Sequence, residues 1–120
     1  MELVEDKYIS NFCVKKYHKG SIFISDKSYS DAIIFHEDSI SEFPIANPKI
    51  ISITDLEGFL LTVDLILIGT GVKNILLNQD LIQNMQGINK GLEFMNTESA
   101  CKTHNLLLSE KRSFASILYP

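Results

Sequence analysis

The spacing of apolar residues changes near the middle of the chain, and the elements change with it. From Val63 to Ile68 the apolar positions are almost continuous, with Leu65-Ile66-Leu67-Ile68 following a single Asp64, and the run ends in Gly69-Thr70-Gly71. An unalternating run of strand length predicts a strand over 64–68 buried on both faces, as in a largely parallel sheet. The two glycines permit a sharp exit at its carboxyl end, where open α/β sheets form their crevice. Before this strand, Thr54 and Glu57 have the spacing of a capping box and predict a short helix over 55–61. After it, Leu81, Ile82 and Met85 share a helical face, with Asn78 or Asp80 as the cap and Gly87 as the stop. Leu92 to Met95 reads as a strand. Thr97 then caps a third helix, with Glu98 in its first turn and Ala100, Leu107 and Leu108 facing inward, ending near 109–111. Phe114 to Tyr119 alternates with apolar residues on both sides, the pattern of a well-covered last strand. The carboxyl half is thus α-β-α-β-α-β, the grammar of crossovers onto a parallel or mixed sheet.

The amino half lacks that rhythm. Residues 1–11 read as a loose, charged lead-in. Residues 12–24 predict two strands about the turn at Tyr17 to Ser21, and Ala32 to Phe35 follows the turn at Asp26 to Ser28 as a third strand of an antiparallel meander. His36 to Ser39 breaks it, and Pro44 and Pro48 exclude a helix beyond.

Composition narrows the function classes without choosing one. The 120 residues carry a net charge of -4 and 45% hydrophobic residues, which is ordinary for one globular domain. The eleven basic residues are scattered, which argues against a nucleic-acid surface. Cys13 and Cys101 match no zinc or disulfide framework and suit a reducing, cytoplasmic setting. The acidic start lacks a signal-peptide layout, and no apolar run approaches the roughly 18 residues of a membrane span.

Several residues could carry chemistry. Gly69-Thr70-Gly71 resembles a phosphate-cradling turn, although Asn74 stands where the dinucleotide fingerprint needs glycine. Cys101 and His104 lie three apart on one predicted helix, the spacing of a thiol–imidazole pair, with no third group placed to orient the histidine. Together with Thr97 and Lys102 they could line one crevice with the glycine turn. The plain alternatives are a structural turn, a capping threonine, a solvated lysine, a buried thiol and a rim histidine. No complete catalytic constellation and no metal set emerges, and no cofactor is implied.

The carboxyl half also carries a resemblance. Leu65 to Gly71, Gly87-Ile88, Met95 to Leu107, Glu110-Lys111-Arg112 and the final Leu118-Tyr119-Pro120, with Tyr17, Gly20, Ile22 and Tyr29 in the amino half, are similar to a domain-of-unknown-function family. Its members include the mitochondrial complex I assembly factor three and the adipogenesis-associated domain protein. The resemblance implies a three-layer α/β single domain with a mixed central sheet and an antiparallel portion, and no established enzyme activity or cofactor. It also implies a binding or assembly role, with a protein partner such as a subunit of the NADH dehydrogenase or another membrane complex. The rival is a small-molecule binder or enzyme built on the crevice, and homo-oligomerisation stays open. Against the family's usual pattern this chain has Asn96 for Asp, Lys102 for Arg, His104 for Tyr and Lys111 for Gly. The lysine replaces a planar fork by a point charge and weakens any anion site there.

Overall fold

The computed structural model describes residues 4–120, with side chains from residue 7 onward. The first described residues form a helix, α1 (Val4–Phe12), where the sequence suggested a loose lead-in; residues 1–3 lie outside the described part. Tyr8 and Phe12, one turn apart, stack at 5.3 Å, and Phe12 meets Phe35 at 5.4 Å. Two aromatics on one helical face anchor a segment whose charges blur its periodicity.

A three-stranded antiparallel meander follows: β1 (Val14–His18), β2 (Ser21–Ile24) and β3 (Lys27–Tyr29). Its third strand is thus Lys27–Tyr29, read from the sequence as a turn and its exit. The strand predicted at Ala32 to Phe35 is β4 (Ile33–His36), which leaves the meander and enters a second sheet. Ile33, Ile34 and Phe35 are all buried, so they need cover on both faces, which an edge of the meander cannot give. Nor does His36 to Ser39 break the strand. His36 pairs with Ser39 across Glu37 and Asp38, both at left-handed φ (46° and 60°), making a two-residue hairpin into β5 (Ser39–Glu42).

The main sheet has the order β5-β4-β8-β6-β7, with β6 (Leu65–Gly69), β7 (Gly91–Met95) and β8 (Phe114–Leu118). β6 runs parallel to both β7 and β8, and β4 is antiparallel to β8 and β5. This is the mixed sheet expected. One face, bearing Ile66, Ile68, Ala115 and Ile117, packs on α2 (Ile53–Leu60) and α3 (Gln79–Gly87). The opposite face, bearing Leu65, Leu67, Phe114 and Leu118, is covered by α4 (Thr97–Ser109), with the meander and α1 beside it.

The helix ends refine the sequence reading. α2 begins two residues early, because Asp55 accepts the Ser52 N–H at 2.8 Å and Ser52, not Thr54, takes the N-cap. Asn78 caps α3 by accepting the Asp80 N–H at 2.8 Å. Gly87 stays helical; Asn89 takes the left-handed position (φ 57°), with Asn89 N–H on Gln86 O and Lys90 N–H on Met85 O, both 3.1 Å. Asn96 rather than Thr97 caps α4, accepting the Ser99 N–H at 2.9 Å. The same C-terminal motif closes α4 about Lys111 (φ 55°), a position where glycine would be unstrained.

α4 also fastens the meander. Asn105 accepts the Val14 N–H (2.7 Å) and donates to the Val14 carbonyl (2.9 Å), presenting to β1 the pattern of a neighbouring strand. Asn105→Ala is expected to cost about 1–2 kcal/mol, the range for two partly buried hydrogen bonds. Hydrogen exchange should speed up at Val14 to His18 more than at β6; equal acceleration in both strands would show that the link is not local.

Candidate functional site

The predicted crevice residues gather at the carboxyl end of β6, but their polar groups already serve one another. The Thr70 N–H donates to Met95 O (2.8 Å), and the Thr70 hydroxyl donates to Lys73 O (2.7 Å) and lies 3.1 Å from Met95 O. The Gly71 N–H donates to Thr97 Oγ1 (2.7 Å), and the Thr97 hydroxyl donates to Tyr119 O (2.6 Å). Gly71 O accepts the Thr97 N–H (2.8 Å). The turn is therefore laced to the start of α4 and to the chain's last residues. An anion seeking the N–H groups of Thr70 and Gly71 must first displace these bonds.

The glycines have separate duties. Gly71 needs its positive φ of 99°. At Gly69 a Cβ would lie 2.9 Å from both Ala100 Cβ and Thr97 Oγ1, so only glycine lets α4 approach the sheet this closely.

Cys101, Lys102 and His104 diverge on α4. Lys102 is exposed, whereas Cys101 and His104 point into the sheet. Burial pushes the Cys101 thiol up to about 12. His104 is wholly buried, not at a rim. Its Nε2 lies 2.9 Å from Phe12 O, and its Nδ1 lies 2.8 Å from Ser116 Oγ. A carbonyl only accepts, so Nε2 carries the proton and Nδ1 accepts from the Ser116 hydroxyl. Phe35 and Phe114 meet the ring edge-on at 5.2 and 5.5 Å. Burial holds this imidazole down at about 4, against a smaller opposing effect of the Phe12 hydrogen bond. Both its nitrogens are occupied, and no hydrogen bond joins it to Cys101 among the described residues.

The Cys101 environment makes a direct prediction. A thiol raised from 9 to about 12 holds roughly a thousandfold less thiolate at neutral pH. Iodoacetamide at pH 7.5 should therefore label the half-buried Cys13 long before Cys101, read by peptide mass spectrometry. Preferential labelling of Cys101 in the folded protein would return it to the list of nucleophiles.

Two surface features escaped the sequence reading. One is an open depression of about 630 Å³ lined by Ile53, Glu57, Leu61, Ile88 and Lys90. Leu61 is 86% exposed and Ile88 48% exposed, and what sets them apart is that they share one depression. Leu61 was readable as odd, since Leu56 and Leu60 alone complete the buried face of α2. The other is a groove of about 410 Å³ between α1, the Glu37-Asp38 turn and the end of α4. There burial, then the hydrogen bond to Asp38, raises the Tyr8 hydroxyl to about 12. Among the described residues no group of three or more His, Cys, Asp or Glu could hold a metal ion, and no helix is long and apolar enough to cross a membrane.

Comparison with known proteins agrees with this architecture. A protein named "13 kDa major membrane protein" of Francisella tularensis subsp. holarctica (strain LVS) is 32% identical over 121 residues, spanning 98% of each chain. The crystal structure of a protein described as an outer membrane protein of Bartonella henselae is 25% identical, with a TM-score of 0.77 over 91% of this chain and 94% of that one. A Bordetella pertussis protein described as a Mth938-like domain shares the fold at 23% identity, with a TM-score of 0.76 over 100% of this chain and 92% of its own. The family profile described as "Protein of unknown function (DUF498/DUF598)" matches residues 14–119. By extent and by fold, the chain belongs to the DUF498/DUF598 family.

Proposed function

We propose that this chain is a protein-binding module that docks onto a subunit of a membrane complex from the cytoplasmic side, in the manner of an assembly factor. The observation that carries the reading is the Leu61–Ile88 depression, an exposed apolar surface on a helical layer that is otherwise packed inward. Two further lines support it. Relatives carry membrane-protein names although no described helix here could span a bilayer, which suits attachment through a partner. The resemblance to the complex I assembly factor points to a respiratory complex as the place to look. The rival reading, a small-molecule or anion site at Gly69–Gly71 and Thr97–His104, is less favoured because Gly71 and Thr97 are bonded to each other, Cys101 and His104 are buried, and the exposed Lys102 points away from them.

Leu61→Asp tests the reading with little risk to the fold, since Leu61 is exposed and a carboxylate at the end of α2 costs about 1 kcal/mol or less against the helix dipole. Tagged wild-type and variant chains would be incubated with gently solubilised host membranes, and captured proteins identified by mass spectrometry. The expected result is recovery of membrane-complex subunits by wild type and their loss from the variant. Equal recovery by both chains, or recovery of none, overturns the proposal.

A further inference from the structure

The chemistry of the same depression specifies its partner. We infer that it takes a basic amphipathic segment, one with apolar side chains three or four residues apart flanked by Lys or Arg; this rests on the docking reading above and deepens it.

The argument is one of charge around an apolar floor. Leu61 and Ile88 are the C-cap residues of α2 and α3, so two helix carboxyl ends converge on one depression. Each such end carries about half a negative charge from its aligned peptide dipoles. Neither helix has a basic residue in its last turn to offset it. Glu57 adds a full negative charge at the rim and is exposed, with no ion-pair partner among the described residues. The one cation in the lining is Lys90, and it is spent. Its Nζ donates to Val63 O at 3.0 Å and lies 3.5 Å from Asp64 Oδ1.

An apolar floor under a negative rim selects among partners. An anionic lipid surface is repelled, whereas apolar anchors with cationic neighbours satisfy both parts, as in helix-in-groove recognition. The volume of about 630 Å³ is of a size for a few anchor side chains.

The test uses the full chain, isotopically labelled, and two synthetic 18-residue peptides. One is an amphipathic Leu/Lys helix and the other its Leu/Glu counterpart. Amide shifts should appear around Leu61 and Ile88 with the Leu/Lys peptide, and its affinity should exceed that of the Leu/Glu peptide by about tenfold. Glu57→Lys should shrink that ratio at least threefold, Leu61→Asp should abolish the shifts, and raised salt should weaken binding. Equal binding of both peptides at this surface overturns the charge inference and leaves the docking reading standing. Failure of the Leu/Lys peptide to bind here overturns the inference whatever the capture experiment returns. If Leu61→Asp also captures the same membrane subunits as wild type, the docking reading falls with it. Binding to anionic vesicles through Leu61, with no peptide present, assigns the depression to lipid and overturns the inference as well.

Discussion

Thr97→Val should lower the stability of this protein by about 3 kcal/mol, while Thr97→Ser should lower it by roughly 1. Valine keeps the shape of threonine and removes one oxygen. That oxygen accepts from Gly71 N–H and donates to Tyr119 O, and both bonds are buried. Losing it strands a donor and an acceptor at once, each costing about 1–3 kcal/mol when left without water or partner. Serine retains both bonds and forfeits only a methyl group's burial, near 1 kcal/mol. Denaturant titration of the three proteins supplies the comparison, and for a domain of this size the valine variant should melt roughly 10 °C lower. A loss below about 1 kcal/mol for valine would mean that the turn has slack and that its N–H groups can be offered to a ligand. The result thus bears on function as well as on folding.

The same threonine shows how far the sequence could be read. Placing Thr97 beside Gly69-Thr70-Gly71 followed from helix and strand periodicity, and the structure puts them together. What periodicity could not convey is occupancy. The pattern offers Thr97 as the cap of the helix or as a lining residue of the crevice, but Asn96 makes the cap and Thr97, one residue on, is turned inward. Much of the carboxyl half was legible because its elements carry buried apolar residues at regular spacing: Leu56 and Leu60, Leu81 and Met85, Ala100 with Leu107 and Leu108, and the unbroken β6. The amino half was harder because its assignments depend on distant partners. β4 reads like any short strand until β8, some eighty residues later, pairs with it. α1 is stabilised by Phe35 and by the His104 ring under its last carbonyl, neither visible from its own charged sequence. Asn105 gave no signal at all, since a side chain that imitates a strand edge looks like any polar helical residue. Exposure was the least legible property. The helical spacing of Leu56 and Leu60 leaves Leu61 off the buried face, but spacing alone does not say that a leucine off that face stays open to solvent.

Acidification should expose the cost of burying His104. The imidazole titrates near 4 in the folded chain and near 6.5 when unfolded. Above pH 6.5 both states are neutral and the residue contributes no pH dependence. Between 6.5 and 4 the unfolded chain binds a proton that the folded chain refuses, so stability falls as pH falls, by about 1.4 kcal/mol per unit. Across that window the loss approaches 3 kcal/mol, and below about 4 the slope from this residue ends because the folded state protonates too. The hydrogen bonds are not what acid removes. A protonated ring can still donate from Nε2 to Phe12 O, and from Nδ1 to Ser116 Oγ once that hydroxyl turns. The penalty is that of holding a charge among Phe35, Phe114 and the sheet. Carboxylates titrate over part of the same range, so the measurement must be a difference. His104→Gln keeps an amide donor and removes the titration; it should be less stable than wild type at pH 7, yet lose about 2–3 kcal/mol less between pH 7 and pH 4.5. Parallel stability–pH curves for the two proteins would show that His104 is charged or hydrated in the native state. With both His104 nitrogens bonded and Cys101 un-ionised, the thiol–imidazole pair that the helical spacing suggested is not assembled, and the exposed apolar surface of α2 and α3 carries the functional reading instead.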